Sequence, residues 1–129
     1  MVIRIWHLLF IKMNIEELYA YCLQKKGVSE QFPFDEHTLV FKVGSKIFAL
    51  TDITDFKSIN LKCNPERAIE LREQYTAVHP GYHMNKKHWN TILLFSDLDD
   101  NLLKELIDHS YQLVLNSLSK KIRDEITLG

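Results

Sequence analysis

The strictest constraint in this chain is a change of period. From Thr38 the residues alternate: Leu39, Phe41 and Val43 point one way, Val40 and Lys42 the other. Gly44-Ser45 interrupts the run. Lys46 to Asp52 then alternates again, with Ile47 and Ala49 on one face and Phe48 and Leu50 on the opposite one. Period two is the signature of a strand, and a two-residue break headed by glycine closes two strands into a tight hairpin. A third strand is expected from Ser58 to Cys63, where Ile59, Leu61 and Cys63 alternate with Ser58, Asn60 and Lys62, and a fourth from Trp89 to Phe95.

Helical spacing flanks these strands. Asn14 is an N-cap with Glu17 three positions on; Ile15, Leu18 and Cys22 repeat behind it, and Gly27 supplies the stop, which predicts a helix over 15–26. Asn64 and Pro65 open a second helix with Ala68, Leu71 and Tyr75 on its buried stripe. Asp97, Asp99 and Asp100 put negative charge at the positive end of a last, long helix. Its apolar face is Leu103, Leu106, Ile107, Ser110, Leu113, Val114 and Leu118. Pro33 makes Phe32-Pro33-Phe34 extended, and Phe32, Phe34, Phe41 and Phe48 are all expected in the core. The order of helix, hairpin, strand, helix, strand, helix predicts an α+β fold, a two-layer sandwich with a mainly antiparallel sheet and helices packed against it.

With 129 residues and 46% apolar content, the chain is expected to form a single domain over 13–118, with 119–129 as a C-terminal tail that frays or adds a short turn. Residues 1–12, MVIRIWHLLFIK, are too short for a membrane span and lack a cleavage site; they are expected to be a leader or upstream extension, with Met13 as the natural start. Mass spectrometry of the natively expressed protein tests this, and an intact Met1 terminus defeats it. Cys22 and Cys63 give neither a disulfide framework nor zinc spacing and are expected as small buried side chains in a reducing compartment. The four glycines, at 27, 44, 81 and 129, form no phosphate-cradling loop, which excludes nucleotide-dependent enzymes of those classes.

The functional signal lies between Gln74 and Ser96, 23 residues without one Asp or Glu. It contains Tyr75, His79, Tyr82, His83, Lys86, Lys87, His88 and Trp89. Residues 13–36 carry a net charge of −3, residues 57–95 of +3 and residues 96–109 of −4. The ordinary account of such a basic stretch is a solvated face balanced by nearby carboxylates. The functional account is phosphate contact by Lys86 and Lys87, with Tyr82 or Trp89 stacking on a base. A formal charge of −1 and a pI of about 6.6 argue against unselective coating of DNA or membrane.

Other constellations are weaker. His79, His83 and His88 lack a fourth ligand and are expected to serve structural hydrogen bonds rather than a metal. His109 and Ser110 are neighbours on a helix and point in different directions, so they form no nucleophile–base pair. Asp52 and Asp55 are expected as turn residues, Asn85 as the start of an Asx-type turn, and Trp89 as core or rim packing.

The blocks NIEELYAYCLQKKGV, EQFPFDEHTLVFKVGSKIFAL, INLKCNPERAIELREQY, HPGYHMNKKHWNTI and LIDHSYQLV together resemble the MmcQ/YjbR family over residues 13–118. HPGYHMNKKHW is the most specific of them. One departure is Asp35, where family members often have Gly after the Pro-Phe pair. The resemblance implies a compact fold similar to the bacterial frataxin homologue CyaY, hairpins in a double-wing DNA-binding arrangement, and a bacterial cytoplasmic location. It brings no catalytic residues, and its DNA-binding label rests on fold analogy.

Three functions are weighed. The first is a non-enzymatic DNA-binding protein without cofactor or metal, contacting phosphate through Lys86, Lys87, His83, His88, Tyr82, Trp89, Lys62 and Arg67. The second is a protein-interaction or chaperone-like module with no nucleic-acid role. The third is an enzyme or ligand-binding protein built on the histidine-rich loop. A monomer with no membrane association is expected.

Overall fold

The computed structural model describes residues 13–129. The expected leader at 1–12 lies outside the described residues. The chain runs α1 (Ile15–Leu23), β1 (Val28–Gln31), β2 (Thr38–Val43), β3 (Lys46–Asp52), β4 (Ser58–Lys62), α2 (Pro65–Gln74), β5 (Val78–Pro80), β6 (Trp89–Leu93), α3 (Asp100–Ser117) and α4 (Lys120–Leu128). The strands form one six-stranded sheet in the order β1-β2-β3-β4-β6-β5, with every neighbouring pair antiparallel. The fold is α+β in two layers.

The local chemistry acts where the sequence puts it. Asn14 Oδ1 accepts from the Glu17 amide at 2.8 Å, Asn64 Oδ1 from the amides of Glu66 and Arg67, and Asp99 from that of Asn101. Each cap contributes about 1 kcal/mol. Of the two hairpin residues between β2 and β3, only Gly44 has a positive φ, +59°, the geometry of a type II′ turn. Helix α1 ends at Leu23, a turn earlier than expected; residues 24–27 form a tight turn in which Gly27 takes φ +74°.

The register sorts the side chains. Ile59 and Leu61 of β4, Ile92 of β6 and Phe41 of β2 belong to the core beneath the helices, with Leu18 and Cys22 of α1, Ala68 and Leu71 of α2, and Leu103, Ile107 and Val114 of α3. A β-bulge between Phe41 and Lys42 shifts the pairing so that Lys42 faces Ile47 and Phe41 faces Ala49. The extra residue, Phe48, turns to the helix side together with Ala49, and its ring meets Tyr111 of α3 edge-on at 5.4 Å. Strict alternation had put Phe48 and Ala49 on opposite faces; the bulge removes that opposition. The Ser110 hydroxyl donates to the Phe48 carbonyl at 2.5 Å and accepts from the Lys62 amide at 2.9 Å, so this small polar residue fastens α3 to β3 and β4. Both cysteines are free and buried, and burial pushes the Cys22 thiol up to about 12.

Two further expectations are corrected. Phe41 and Phe48 are in the core, but Phe32 and Phe34 are 46% and 67% exposed. They sit in the β1–β2 connection, outside either strand, where Asp35 Oδ1 accepts from the amides of His37 and Thr38 and turns the chain. Those two bonds hold the Asp35 carboxyl below its ordinary value, and they give the non-glycine residue its role in the turn. The segment after Ser119 is a helix rather than a frayed end: Ser119 caps it, Ile126 packs on Gly27, and Lys26 donates to the Thr127 carbonyl. Two strands, β1 and β5, were not expected from the sequence at all. They are the sheet edges, short and polar or proline-ended, as edges that resist further pairing are.

Candidate nucleic-acid interface

Among the described residues the helices α1, α2 and α3 pack on one side of the sheet, and the pleat aims the alternate residues at the other. Cross-strand pairing aligns Val40, Leu50, Asn60, Thr91 and His79 in one row across that open face. The chain between β5 and β6, residues 81–88, forms a strap that brings Tyr82, His83 and Met84 against Leu50 and Asn60 of the row.

Its anchoring is explicit. The Tyr82 amide donates to Thr91 Oγ1 at 3.0 Å, and the Thr91 hydroxyl donates to Asn60 Oδ1 at 2.5 Å. Gly81 donates to the Trp89 carbonyl at 2.8 Å, and a Cβ at Gly81 would stand 2.8 Å from Trp89 Cβ, so only glycine permits this approach. On the strap's far side Arg72 of α2 donates to Asn90 Oδ1 at 2.7 Å and to the carbonyls of Lys86 and Trp89. Asn85 accepts from the Lys87 amide, the expected Asx turn. His83 closes the tip with φ +58°, the one positive φ outside glycine among the described residues. The Tyr82 ring stacks on His79 at 6.5 Å and 20°.

The basic residues separate into two groups. Arg67 is paired with Glu105 at 2.6 Å, and Lys57 lies 3.4 Å from Asp55. Arg72 is engaged by the strap. For these three the ordinary account of a balanced or structural charge holds, and Arg67 stands apart from the strap residues with which it was grouped. Lys62, Lys86 and Lys87 have no carboxylate within ion-pair distance among the described residues; Lys86 Nζ donates to the Gly81 carbonyl at 3.1 Å. Lys62 pairs with Trp89 across the strands, where the indole is half-buried at the rim. Tyr82 is 54% exposed, His83 is exposed, and His88 is half-buried with its carbonyl accepting from the Cys63 amide. The three histidines of the segment do not converge: among the described residues no group of three His, Cys, Asp or Glu side chains could hold a metal ion.

Between strap and sheet is a cleft of about 520 Å³. Phe34, Leu50, Tyr82 and Met84 supply its apolar walls; Ser58, Asn60 and His83 are among its polar points. Sequence reasoning missed Phe34, Ser58 and Asn60. The alternation already put Ser58 and Asn60 opposite the core residues, but nothing in the sequence said that the helices of residues 13–129 would leave that face to the strap. Asp52 also lines the cleft, with its carboxylate accepting from the amides of Thr54 and Asp55, the turn role expected of it.

A family model described as YjbR matches residues 23–113. The Escherichia coli (strain K12) protein YjbR is 36% identical over 112 residues, covering 86% of this chain and 95% of its own. YbdF of Escherichia coli O157:H7 is 36% identical over 99 residues, 76% and 81% of the two chains. Among solved structures, the Deinococcus radiodurans protein DR2400, with the domain DUF419, superposes with a TM-score of 0.85 at 41% identity over 92% of this chain and 91% of that one. None of these names states an activity. No helix among the described residues is long and apolar enough to cross a membrane.

Proposed function

This chain belongs to the YjbR family, and we propose that it is a non-enzymatic, cytoplasmic protein that binds nucleic acid through the strap over its open sheet face. Lys86, Lys87 and Lys62 contact phosphate, and Tyr82 offers a ring to a base. One observation carries this reading: the three lysines are without carboxylate partners among the described residues, in the same small region where Tyr82 is 54% exposed. Cations so disposed beside an open ring suit a phosphate backbone with accessible bases.

A titration with DNA at increasing salt tests it. Three phosphate contacts give a slope of log affinity against log salt of about −2 to −3. Lys86→Glu combined with Lys87→Glu removes binding at low salt. An affinity unchanged by this double substitution rejects the strap as the contact surface. The second reading, a protein-interaction module, draws on the exposed Phe32 and Ile53 beside a groove of about 420 Å³ against α1. Absence of DNA binding at low salt, together with a stable complex retained by this groove, favours it.

A further inference from the structure

The cleft has a different chemistry from the lysines that border it. Among the described residues no lysine or arginine lines it, and the one carboxylate there, Asp52, is already held by two backbone amides. A phosphate therefore gains nothing by entering, whereas an uncharged flat group gains apolar walls on two sides. Phe34 presents an exposed ring from the β1–β2 connection, and Tyr82 presents one from the strap, fixed in orientation by its stack on His79. At the floor, Asn60 has its carbonyl oxygen occupied by the Thr91 hydroxyl, so its amide NH₂ is the group left to donate; among the described residues it has no partner. The Ser58 hydroxyl beside it is likewise without a partner among those residues. Ring walls with an amide donor between them are the means by which a protein reads the edge of an aromatic heterocycle. The volume falls within the range of roughly 300–1,000 Å³ typical of small-ligand sites. The left-handed His83 at the lip is a conformation that non-glycine residues seldom hold away from a constrained turn or a site.

We propose that this cleft takes a flat heteroaromatic ring with a hydrogen-bonding edge, the chemistry of an unpaired nucleobase, between Phe34 and Tyr82 and against Asn60. The inference deepens the nucleic-acid reading and rests on it for the strand as source of the ring, with the lysines of the strap holding phosphate outside the cleft. A free nucleoside offers the same chemistry. Paired bases in a duplex are stacked and cannot enter without being turned out of the helix, so the cleft selects single strands.

The test compares three probes on the full chain: a mixed-sequence single strand of about 12 nucleotides, its duplex, and the free nucleosides. Affinities are measured at low salt, and ring entry is followed by amide and aromatic shifts in NMR. The single strand is expected to bind at least about ten-fold more tightly than the duplex, and Phe34→Ala to erase about ten-fold of that preference while leaving duplex binding unchanged. Phe34 is exposed, so this variant keeps the fold; Asn60→Ala, checked by its melting curve, is the second variant. Nucleosides that shift Asn60 and Tyr82 when no strand binds support the cleft and overturn the strand reading. Equal affinity for strand and duplex, no nucleoside shift and no effect of either variant overturn the cleft and leave the phosphate reading standing. No binding of any probe overturns both.

Discussion

The two faces of one sheet, built from alternate residues of the same strands, have opposite fates. On the helix face Ile59, Leu61, Phe48 and Ile92 are sealed, and the polar groups that enter are matched, Ser110 by strand backbone and Asn90 by Arg72. On the open face Val40 and Thr91 are buried as well, yet Leu50 and Asn60 are only half-covered, and Phe34 and Tyr82 stand in solvent. Among the described residues, one face received a layer of helices and the other received the strap. Apolar residues facing a full layer make a core, and the same kinds of residue facing a partial layer make a cleft.

The largest test of this contrast is to remove a ring from each side. Phe48→Ala should lower stability by about 3–5 kcal/mol, because the ring is fully buried between Phe41 and Tyr111. Phe34→Ala should stay within about 0.5 kcal/mol. Urea unfolding of both decides it; similar losses would mean that the open face is a second core. Next is the strap. Gly81→Val puts side-chain atoms where Trp89 Cβ and its carbonyl already stand, and should cost about 1–3 kcal/mol while lifting the strap. Hydrogen exchange at Tyr82, whose amide is held by Thr91, reports the lifting; unchanged protection would show the strap is fastened elsewhere.

The smallest expected effect belongs to the helix face. His109 Nε2 accepts from the Asn64 amide at 3.2 Å. Burial first, and Arg67 second, depress its pKa below the ordinary 6.5, against an opposing pull from Glu105. The neutral ring is therefore the folded form. Its contribution is complete above pH 6.5 and is lost as pH falls through the depressed folded value. His109→Gln should flatten the urea midpoint against pH across that window. An unaltered profile would assign the acid sensitivity to other groups.

The central elements were legible because their signals are local. Period-two runs at 38–52, an Asn-Pro start at 64–65 and the aspartates at 97, 99 and 100 around the start of α3 each fix a backbone choice within a few residues. Illegible were β1 and β5, whose VSEQ and VHP contain no alternation to count, and α4, whose placement depends on distant glycines at 27 and 44. The candidate site was legible in part. The acid-free segment pointed to Lys86, Lys87 and Tyr82, but Arg67 could not be separated from them until α3 brought Glu105 against it.

The sequence by itself determined the strands of the central sheet, the caps, the hairpin and the family, since these depend on residue type and spacing along the chain. Which face of the sheet would be roofed, which cations would find carboxylates, and that Phe34 and Tyr82 would meet across a cleft with Asn60 at its floor were decided only in three dimensions. The physical reason is that burial and charge pairing depend on groups far apart in the chain; 48 positions separate Ser110 from Lys62, and 38 separate Arg67 from Glu105.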